Sequence, residues 1–275
     1  MSLSAPGGKY LLDLIKESLN DKMSQEEKMH LVREELQILI LKILFDVGAF
    51  RNLAFVGGTA LRIIFGLRRF SEDLDFSLIR KKGYSLDKLA KTIPYHLQRY
   101  GFDIDIKKND RRNVQTLMVK FKGVLFNLAL SNLKEQKLSI ALEIDAFPPE
   151  GWNTEISLIT KRFIFTVTHY DLPSLYATKL HACFFRSYVK GRDFYDLVWY
   201  LGKGILPNFT LLNNAISQTE KRKVMVGREN FKKFLLEELK KVDFAKVKRD
   251  VERFLVDKEE LKLLNGELIK QAIKF

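Results

Sequence analysis

The chain has 275 residues, 46% of them hydrophobic, and a formal net charge of +13 at pH 7. This length allows one large domain or two ordinary ones with a real core. The single cysteine, Cys183, excludes an intramolecular disulfide and is typical of a reducing compartment. The four histidines are scattered and lack the close spacing of a zinc site.

The large positive charge indicates a polyanionic partner, of which nucleic acid is the commonest. A basic protein with no such partner is the alternative. The partner class therefore has to be decided by the motifs that follow.

The first part of the chain predicts helices. Apolar residues recur at helical spacing over residues 9–48, and Gly48 is placed to end the second helix. The most apolar run, residues 36–50, is interrupted by Gln37, Lys42 and Asp46 and is too short to span a bilayer. We therefore expect a buried helix here, no membrane partner and a cytoplasmic location.

The middle of the chain predicts a mixed sheet. Residues 84–100 predict a helix between strands, in which Pro94 introduces a kink or moves the boundary. Segments rich in β-formers or with alternating apolar residues cover 53–57, 73–79, 102–107, 113–123, 137–147 and 162–168.

The last part predicts helices again. Asp171 is a candidate N-cap with Pro173 in the first turn, and further amphipathic helices follow over residues 209–275. The expected fold is therefore α/β (α+β), with a mixed sheet and N-terminal helices in residues 1–168 and a helical domain in residues 169–275.

The segment FVGGTALRIIFGLRRFSEDLDFSL, residues 55–78, joins a glycine turn to two aspartates. Gly57 and Gly58 end a strand and let the backbone approach a ligand closely. Thr59 opens an apolar helix whose free N–H groups favour an anion such as a phosphate. A pair of glycines alone is weak support, because many strand-to-helix turns contain it without a ligand.

Asp73 and Asp75 share one face of their predicted strand, while Leu74 and Phe76 face the core. Two adjacent carboxylates repel each other, and Mg²⁺, a hard cation that prefers oxygen ligands, would compensate them. A solvated polar strand face is the alternative.

A third carboxylate is expected from the alternating strand 137–147, whose polar face carries Glu143 and Asp145. If this strand runs beside the strand of Asp73, three carboxylates converge into the ligand set of a two-metal site. Asp145 is the first candidate for the third position and Glu143 is the second.

The glycine turn and the aspartate pair together resemble the motif of a known enzyme family. Gly57-Gly58-Thr59, with Asp73-Leu74-Asp75 beginning fourteen residues after Thr59, resembles the polymerase-β-type nucleotidyltransferases, and its form is similar to the AbiEii/AbiGii abortive-infection toxins of type IV toxin–antitoxin systems. A second block, LYATKLHACFFRSYVKGRDFYDLVWYL at residues 175–201, resembles the same family. Two blocks in the right order are more specific than either alone.

The resemblance implies roles for the residues of both blocks. Asp73, Asp75 and Asp145 would hold Mg²⁺ or Mn²⁺, and Lys179 would reach the triphosphate of an NTP. Asp196 would orient Lys179 or close the site. The remaining nucleotide-binding candidates are Gly57, Gly58, Thr59, Ser71 at the edge of the site, and Arg186.

Arg186 lies two helical turns from Lys179 and is expected on the same face. For Lys179, the alternative is a solvated surface lysine.

The expected function is transfer of an NMP from an NTP to an acceptor, with release of pyrophosphate. The basic surface favours RNA as acceptor, the resemblance implies tRNA, and a separate antitoxin protein is an expected partner. Three alternatives remain open: a CCA-adding tRNA enzyme, a small-molecule adenylyltransferase, and a non-catalytic RNA-binding module.

Overall fold

The computed structural model describes residues 7–111, 113–186, 188–220 and 225–273. The strands are β1 Leu53–Val56, β2 Leu74–Leu78, β3 Asp103–Asn109, β4 Val114–Lys122, β5 Leu138–Asp145, β6 Thr154–Ile159 and β7 Phe165–Tyr170. The helices are α1 Gly7–Ser18, α2 Gln25–Asp46, α3 Gly57–Phe65, α4 Leu86–Arg99, α5 Val124–Asn127, α6 Leu172–Phe184, α7 Gly191–Lys203, α8 Phe209–Glu220, α9 Phe231–Leu239, α10 Phe244–Val251 and α11 Gly266–Ala272.

The seven strands form one mixed sheet in the order β3-β4-β5-β2-β1-β7-β6. β2 is parallel to β5, whereas β4 is antiparallel to both β3 and β5. The end of β2 lies beside the start of β1, because the N–H groups of Ile79 and Arg80 both donate to the carbonyl of Asn52. The α/β class with a mixed sheet is therefore confirmed.

The chain forms two compact units that interleave along the sequence. The first comprises residues 7–55, 71–148 and 156–168 and contains the sheet apart from terminal residues of three strands. The second comprises residues 56–70, 149–155 and the described residues from 169 onward. The boundary predicted at residue 168 falls at the last change of unit, but two earlier segments also belong to the second unit.

The core of the first unit lies on one face of the sheet. Buried residues alternate with more exposed ones along most of β4, whereas β2 and β5 each also contain three consecutive buried residues; α2 and α4 pack on the sheet. Phe102, just before β3, meets Phe121 edge to face with ring centroids 5.3 Å apart. This packing fixes which face of β2 and β5 carries polar side chains, since successive residues on a strand point to opposite faces.

The predicted end of the second N-terminal helix near Gly48 is confirmed. Ser24 and Glu27 form a capping box at the start of α2, and the helix ends at Asp46 before Gly48, whose φ is +70°. Pro94 lies inside α4 and does not move its boundary.

In the second unit, Asp171 caps α6 by accepting a hydrogen bond from the N–H of Ser174, and Pro173 lies in the first turn as predicted. α7 approaches α10 so closely that a Cβ at Gly191 would lie 2.1 Å from the carbonyl oxygen of Val247. None of the helices in the described ranges combines the length and apolarity needed to cross a membrane.

β6 is the strand that the sequence did not predict. It lies at the edge of the sheet, where Ile156 and Leu158 are 72% and 60% exposed. Ile156 and Leu158 do alternate with Glu155 and Ser157 along β6, but only Ile159 is buried, so the alternation does not mark a core-facing side.

Candidate active site

The carboxylates of β2 and β5 lie on one face of the sheet. In the parallel register, Asp75 is paired with Glu143, and Ser77 is paired with Asp145. Paired residues point to the same face. Asp73 directly precedes β2, which begins at Leu74. This confirms the expectation that the strand of Asp145 runs beside the strand of Asp73.

The two candidates for the third carboxylate differ in their position relative to Asp75. Glu143 is the direct neighbour of Asp75, at the strand spacing of about 4.8 Å, whereas Asp145 is two positions further along β5. The Oδ1 atom of Asp145 also accepts a hydrogen bond of 3.0 Å from the N–H of Phe147. Partial burial raises the pKa of Asp145 above its ordinary value, and this hydrogen bond offsets only part of the effect.

Helix α2 anchors the chain that leads into Asp73. The buried side chain of Gln37 donates from Nε2 to the carbonyl of Ser71 at 3.1 Å, and Arg33 lies 3.6 Å from the carboxylate of Glu72. Ser71 is thus held through its backbone, two residues before Asp73.

The donor set fits a hard divalent cation in its chemistry. Asp73, Asp75, Glu143 and Asp145 all offer carboxylate oxygens, and all four residues are half-buried rather than enclosed. Within the described residues, however, no three His, Cys, Asp or Glu side chains are grouped closely enough to hold a metal ion. What the structure provides is the neighbouring pair of Asp75 and Glu143, with Asp145 on the same face and Asp73 immediately before β2.

The glycine turn belongs to the second unit. α3 begins at Gly57, whose φ of +76° favours glycine. Gly58 is required for a different reason: a Cβ there would lie 2.2 Å from the Nη2 atom of Arg69. Thr59 is fully buried, so a ligand at the start of α3 could use its backbone N–H but not an exposed hydroxyl.

Arg69 is the centre of a buried ionic cluster, defined here as Arg69, Lys179, Arg186, Asp193 and Asp196. Its Nε and Nη2 atoms donate to the two carboxylate oxygens of Asp196, both at 2.6 Å. Lys179 Nζ lies 2.7 Å from Asp193 and 2.8 Å from Asp196. Arg186 Nη1 donates to the second oxygen of Asp193 at 3.0 Å.

The electrostatics of the ionic cluster favour its charged form. Burial alone would lower the pKa of Lys179, but Asp193 and Asp196 outweigh it and hold the pKa above its ordinary value. Burial would likewise raise the pKa of Asp193, yet the nearby Lys179 and Arg186 lower it overall. With three cations and two carboxylates, the cluster carries one positive charge in excess.

The structure corrects two expectations about these residues. Lys179 is only 8% exposed, so the alternative of a solvated surface lysine is wrong. Helix α6 ends at Phe184, so Arg186 does not share its helical face with Lys179. Both side chains nevertheless meet, because each binds one oxygen of Asp193.

Sequence reasoning missed Arg69 as a residue of the candidate site. Arg68 and Arg69 are adjacent and chemically identical, yet the side chain of Arg68 is 63% exposed and that of Arg69 is 2% exposed. No periodicity in a loop distinguishes them. The glycine at position 58 was the available signal, since a position without a Cβ can accommodate a bulky neighbour.

Comparison with known proteins identifies the family. The family described as "Nucleotidyl transferase AbiEii toxin, Type IV TA system" matches residues 39–265. The chain belongs to the AbiEii family. It is therefore a nucleotidyltransferase, and the alternative of a non-catalytic RNA-binding module is set aside. Family membership implies a nucleotide substrate and an antitoxin partner.

Two solved structures from Helicobacter pylori resemble this AbiEii-family chain. JHP933 is 24% identical, with 94% of each chain covered and a TM-score of 0.49. A candidate nucleotidyltransferase is 22% identical, with 93% of this chain and 96% of that chain covered and a TM-score of 0.46. A search of curated proteins gave no match.

We predict that Gly58→Ala destabilises this AbiEii-family protein by about 1–3 kcal/mol, the usual cost of overpacking. The new methyl group would displace the guanidinium of Arg69 from Asp196. Chemical denaturation measures the free energy of unfolding. The control is Gly202→Ala in α7, where the Cβ meets open space and should be neutral or stabilising. Equal stability of Gly58→Ala and wild type would contradict the packing argument.

We also predict that Asp145→Asn raises the melting temperature of the metal-free protein at neutral pH. Because the pKa of Asp145 is raised by burial, its ionised form destabilises the fold above that pKa. The gain should vanish as the pH falls below about 3.9, where the unfolded state also binds the proton. Scanning calorimetry in a chelator from acidic to neutral pH tests this, with the exposed Glu150→Gln as control. A lower melting temperature at neutral pH would refute it.

Proposed function

We propose that this AbiEii-family enzyme transfers an NMP from an NTP to a hydroxyl group of an acceptor RNA, in a reaction that depends on Mg²⁺ or Mn²⁺. The acceptor oxygen forms a bond to the α-phosphorus while the bond between that phosphorus and the bridging oxygen breaks. Pyrophosphate leaves with the bonding electron pair, and the hydroxyl proton passes to solvent or base. The observation that supports this most is the parallel pairing of Asp75 with Glu143.

Asp73 and Asp75 would hold the divalent ions. Glu143 is the favoured third ligand because it is the direct neighbour of Asp75, with Asp145 as the second candidate. The ions, when bound, would neutralise phosphate charge and lower the pKa of the acceptor hydroxyl. The protein's own contribution is to present its carboxylates on one sheet face, with Ser71 at the edge and the preceding backbone fixed by α2.

The phosphates of the NTP would bind at the start of α3. The backbone N–H groups of Gly57, Gly58 and Thr59 lie in its first turn, where unpaired donors and the helix dipole favour an anion. The ionic cluster in the same unit adds one excess positive charge. Arg69 is the residue of the ionic cluster that contacts this turn, because it packs against Gly58.

Lys179 would bind the triphosphate with one donor of its ammonium group. An ammonium has three N–H donors, and the contacts to Asp193 and Asp196 account for two of them. Asp196 would position Lys179 through the contact observed between them. Arg186, whose side chain is 32% exposed, would be a further phosphate ligand.

The acceptor is proposed to be RNA, and specifically tRNA, from the family resemblance and the net charge of +13. A small cationic acceptor, such as an aminoglycoside, would be repelled by this charge. The physiological role we propose is that of the toxin in a type IV pair. Its antitoxin, in such a system, need not bind this chain.

We predict that Asp73→Asn and Asp75→Asn each lower transfer by about 100-fold or more, because each removes a carboxylate ligand of the divalent ions that stabilise the transition state. Glu143→Gln should have a similar effect, and Asp145→Asn a smaller one. Single-turnover rates with purified variants measure this. Asp103→Asn, an exposed strand carboxylate, is the control. Near-normal turnover by Asp75→Asn would refute the metal assignment, and a larger loss for Asp145→Asn than for Glu143→Gln would reverse the order of the third ligand.

We predict that labelled NTP is incorporated into RNA, most strongly into tRNA, when Mg²⁺ is present. Each of the four NTPs is tested with total RNA, purified tRNA and no RNA, with a chelator and with Asp75→Asn as controls. Label in RNA that disappears with both controls supports the proposal. Absence of label in RNA for all four NTPs, despite RNA binding, would contradict the proposed acceptor.

A further inference from the structure

The first unit contains a cavity of about 730 Å³ that lies away from the carboxylates of β2 and β5. Its lining includes the segment before β1 and the loop after β2. We call it the basic groove and define it by the four cationic residues that line it: Arg51, Arg80, Lys82 and Lys88.

The basic groove lies at the other end of β2 from Asp73 and Asp75, and none of the four candidate carboxylates is among its described lining residues. Asp75 and Arg80 are five residues apart along an extended chain that rises by about 3.3 Å per residue, so they are separated by roughly 16 Å. The groove is therefore a separate feature of the sheet and not a continuation of the metal-binding face.

Its positive charge is not compensated within the structure. Across the described ranges, none of the four cationic residues has a carboxylate within ion-pair distance, whereas Lys108, Lys122 and Lys137 in the same unit all do. The one acidic residue among the described lining residues, Asp46, is already bound by Lys42 at 2.6 Å. Such a field attracts a polyanion.

The walls of the basic groove are held by hydrogen bonds. Asn52 Nδ2 donates to the carbonyls of Arg80 at 2.7 Å and Lys82 at 2.9 Å, which fixes the loop that carries both side chains. Tyr84 donates to Gln115 at 2.7 Å, and burial raises the pKa of Tyr84 to about 12, so it stays a donor. The groove is therefore formed before a ligand arrives.

The exposure of the cations distinguishes between ligand classes. A small-molecule site encloses most of its ligand, but all four cationic side chains of the basic groove are exposed. Several exposed cations lining one cavity suit the repeated phosphates of a polymer. Phe45, 39% exposed in the lining, offers a ring on which a base could stack.

We propose that the basic groove binds a phosphodiester segment of the acceptor RNA, remote from the end that reacts. This rests on the proposed function, because it takes RNA as the acceptor. It assigns the groove a role in selecting and retaining the substrate rather than in chemistry.

The test compares RNA binding by two variants that each lose three positive charges, one within the basic groove and one in the second unit. The groove variant is Arg80→Ala/Lys82→Ala/Lys88→Ala, which keeps the backbone carbonyls that Asn52 binds. The control variant is Lys232→Ala/Lys233→Ala/Lys240→Ala, three exposed lysines of the second unit. Both are made in an Asp75→Asn background, and binding of a fluorescent single-stranded RNA is measured without NTP at several salt concentrations.

We expect the groove variant to bind RNA at least about 10-fold more weakly than its parent. The slope of the logarithm of the binding constant against the logarithm of salt concentration should fall in magnitude by about 0.7 for each phosphate that the variant no longer neutralises. The control variant should bind almost as tightly as the parent, and both variants should keep the parent's melting temperature. If the triple variant does not fold, the single changes Lys82→Glu and Lys88→Glu replace it.

Equal losses in the groove and control variants would overturn the proposal, since they would show only a general charge effect. Displacement of the RNA probe by a mononucleotide at matched phosphate concentration would overturn it as well, in favour of a small ligand. Because binding is measured without transfer, a groove-specific loss would support the groove even if labelling of RNA failed. Successful labelling with undiminished RNA binding by the groove variant would refute the groove and leave the proposed function intact.

Discussion

The second unit depends on the buried pairing of Arg69 with Asp196. Both side chains are almost completely inaccessible, and the bidentate geometry satisfies the guanidinium and the carboxylate together. Because desolvating a charge is costly, the loss of one partner leaves an uncompensated ion, at a typical cost of about 3–5 kcal/mol. The pairing therefore fixes three segments at once: the turn at Gly58, helix α6 through Lys179, and helix α7 through Asp196.

In the first unit, strand register plays the corresponding role. The parallel pairing of β2 with β5 puts Asp75 and Glu143 side by side, while the intervening residues Leu74 and Ile144 are buried. A slip of one residue would move the carboxylates into the core and the apolar residues to the other face. The two like charges remain adjacent because the apolar face of the same strands is stabilised by burial, whether or not a cation is bound.

The sequence predicted those features that depend on local patterns. Alternation located β2 and β5 and the polar face of each strand, and Asp171 and Gly48 marked helix ends. Register between distant strands leaves no local signal, so the sequence could not show that Glu143 is the direct neighbour of Asp75. The choice between Arg68 and Arg69 depends on tertiary burial, so it could not be predicted from the pattern. β6 was missed although Ile156 and Leu158 alternate with polar residues along it.

Gly58 illustrates how a motif can have more than one physical cause. From the sequence, the glycine pair indicated a close approach of the backbone to a phosphate. The structure gives a sufficient reason for Gly58 within the fold, since Arg69 occupies the space that a side chain would need. The glycine is therefore not independent support for nucleotide binding. That support comes from the register of Asp75 with Glu143 and from the excess positive charge of the ionic cluster to which Arg69 belongs.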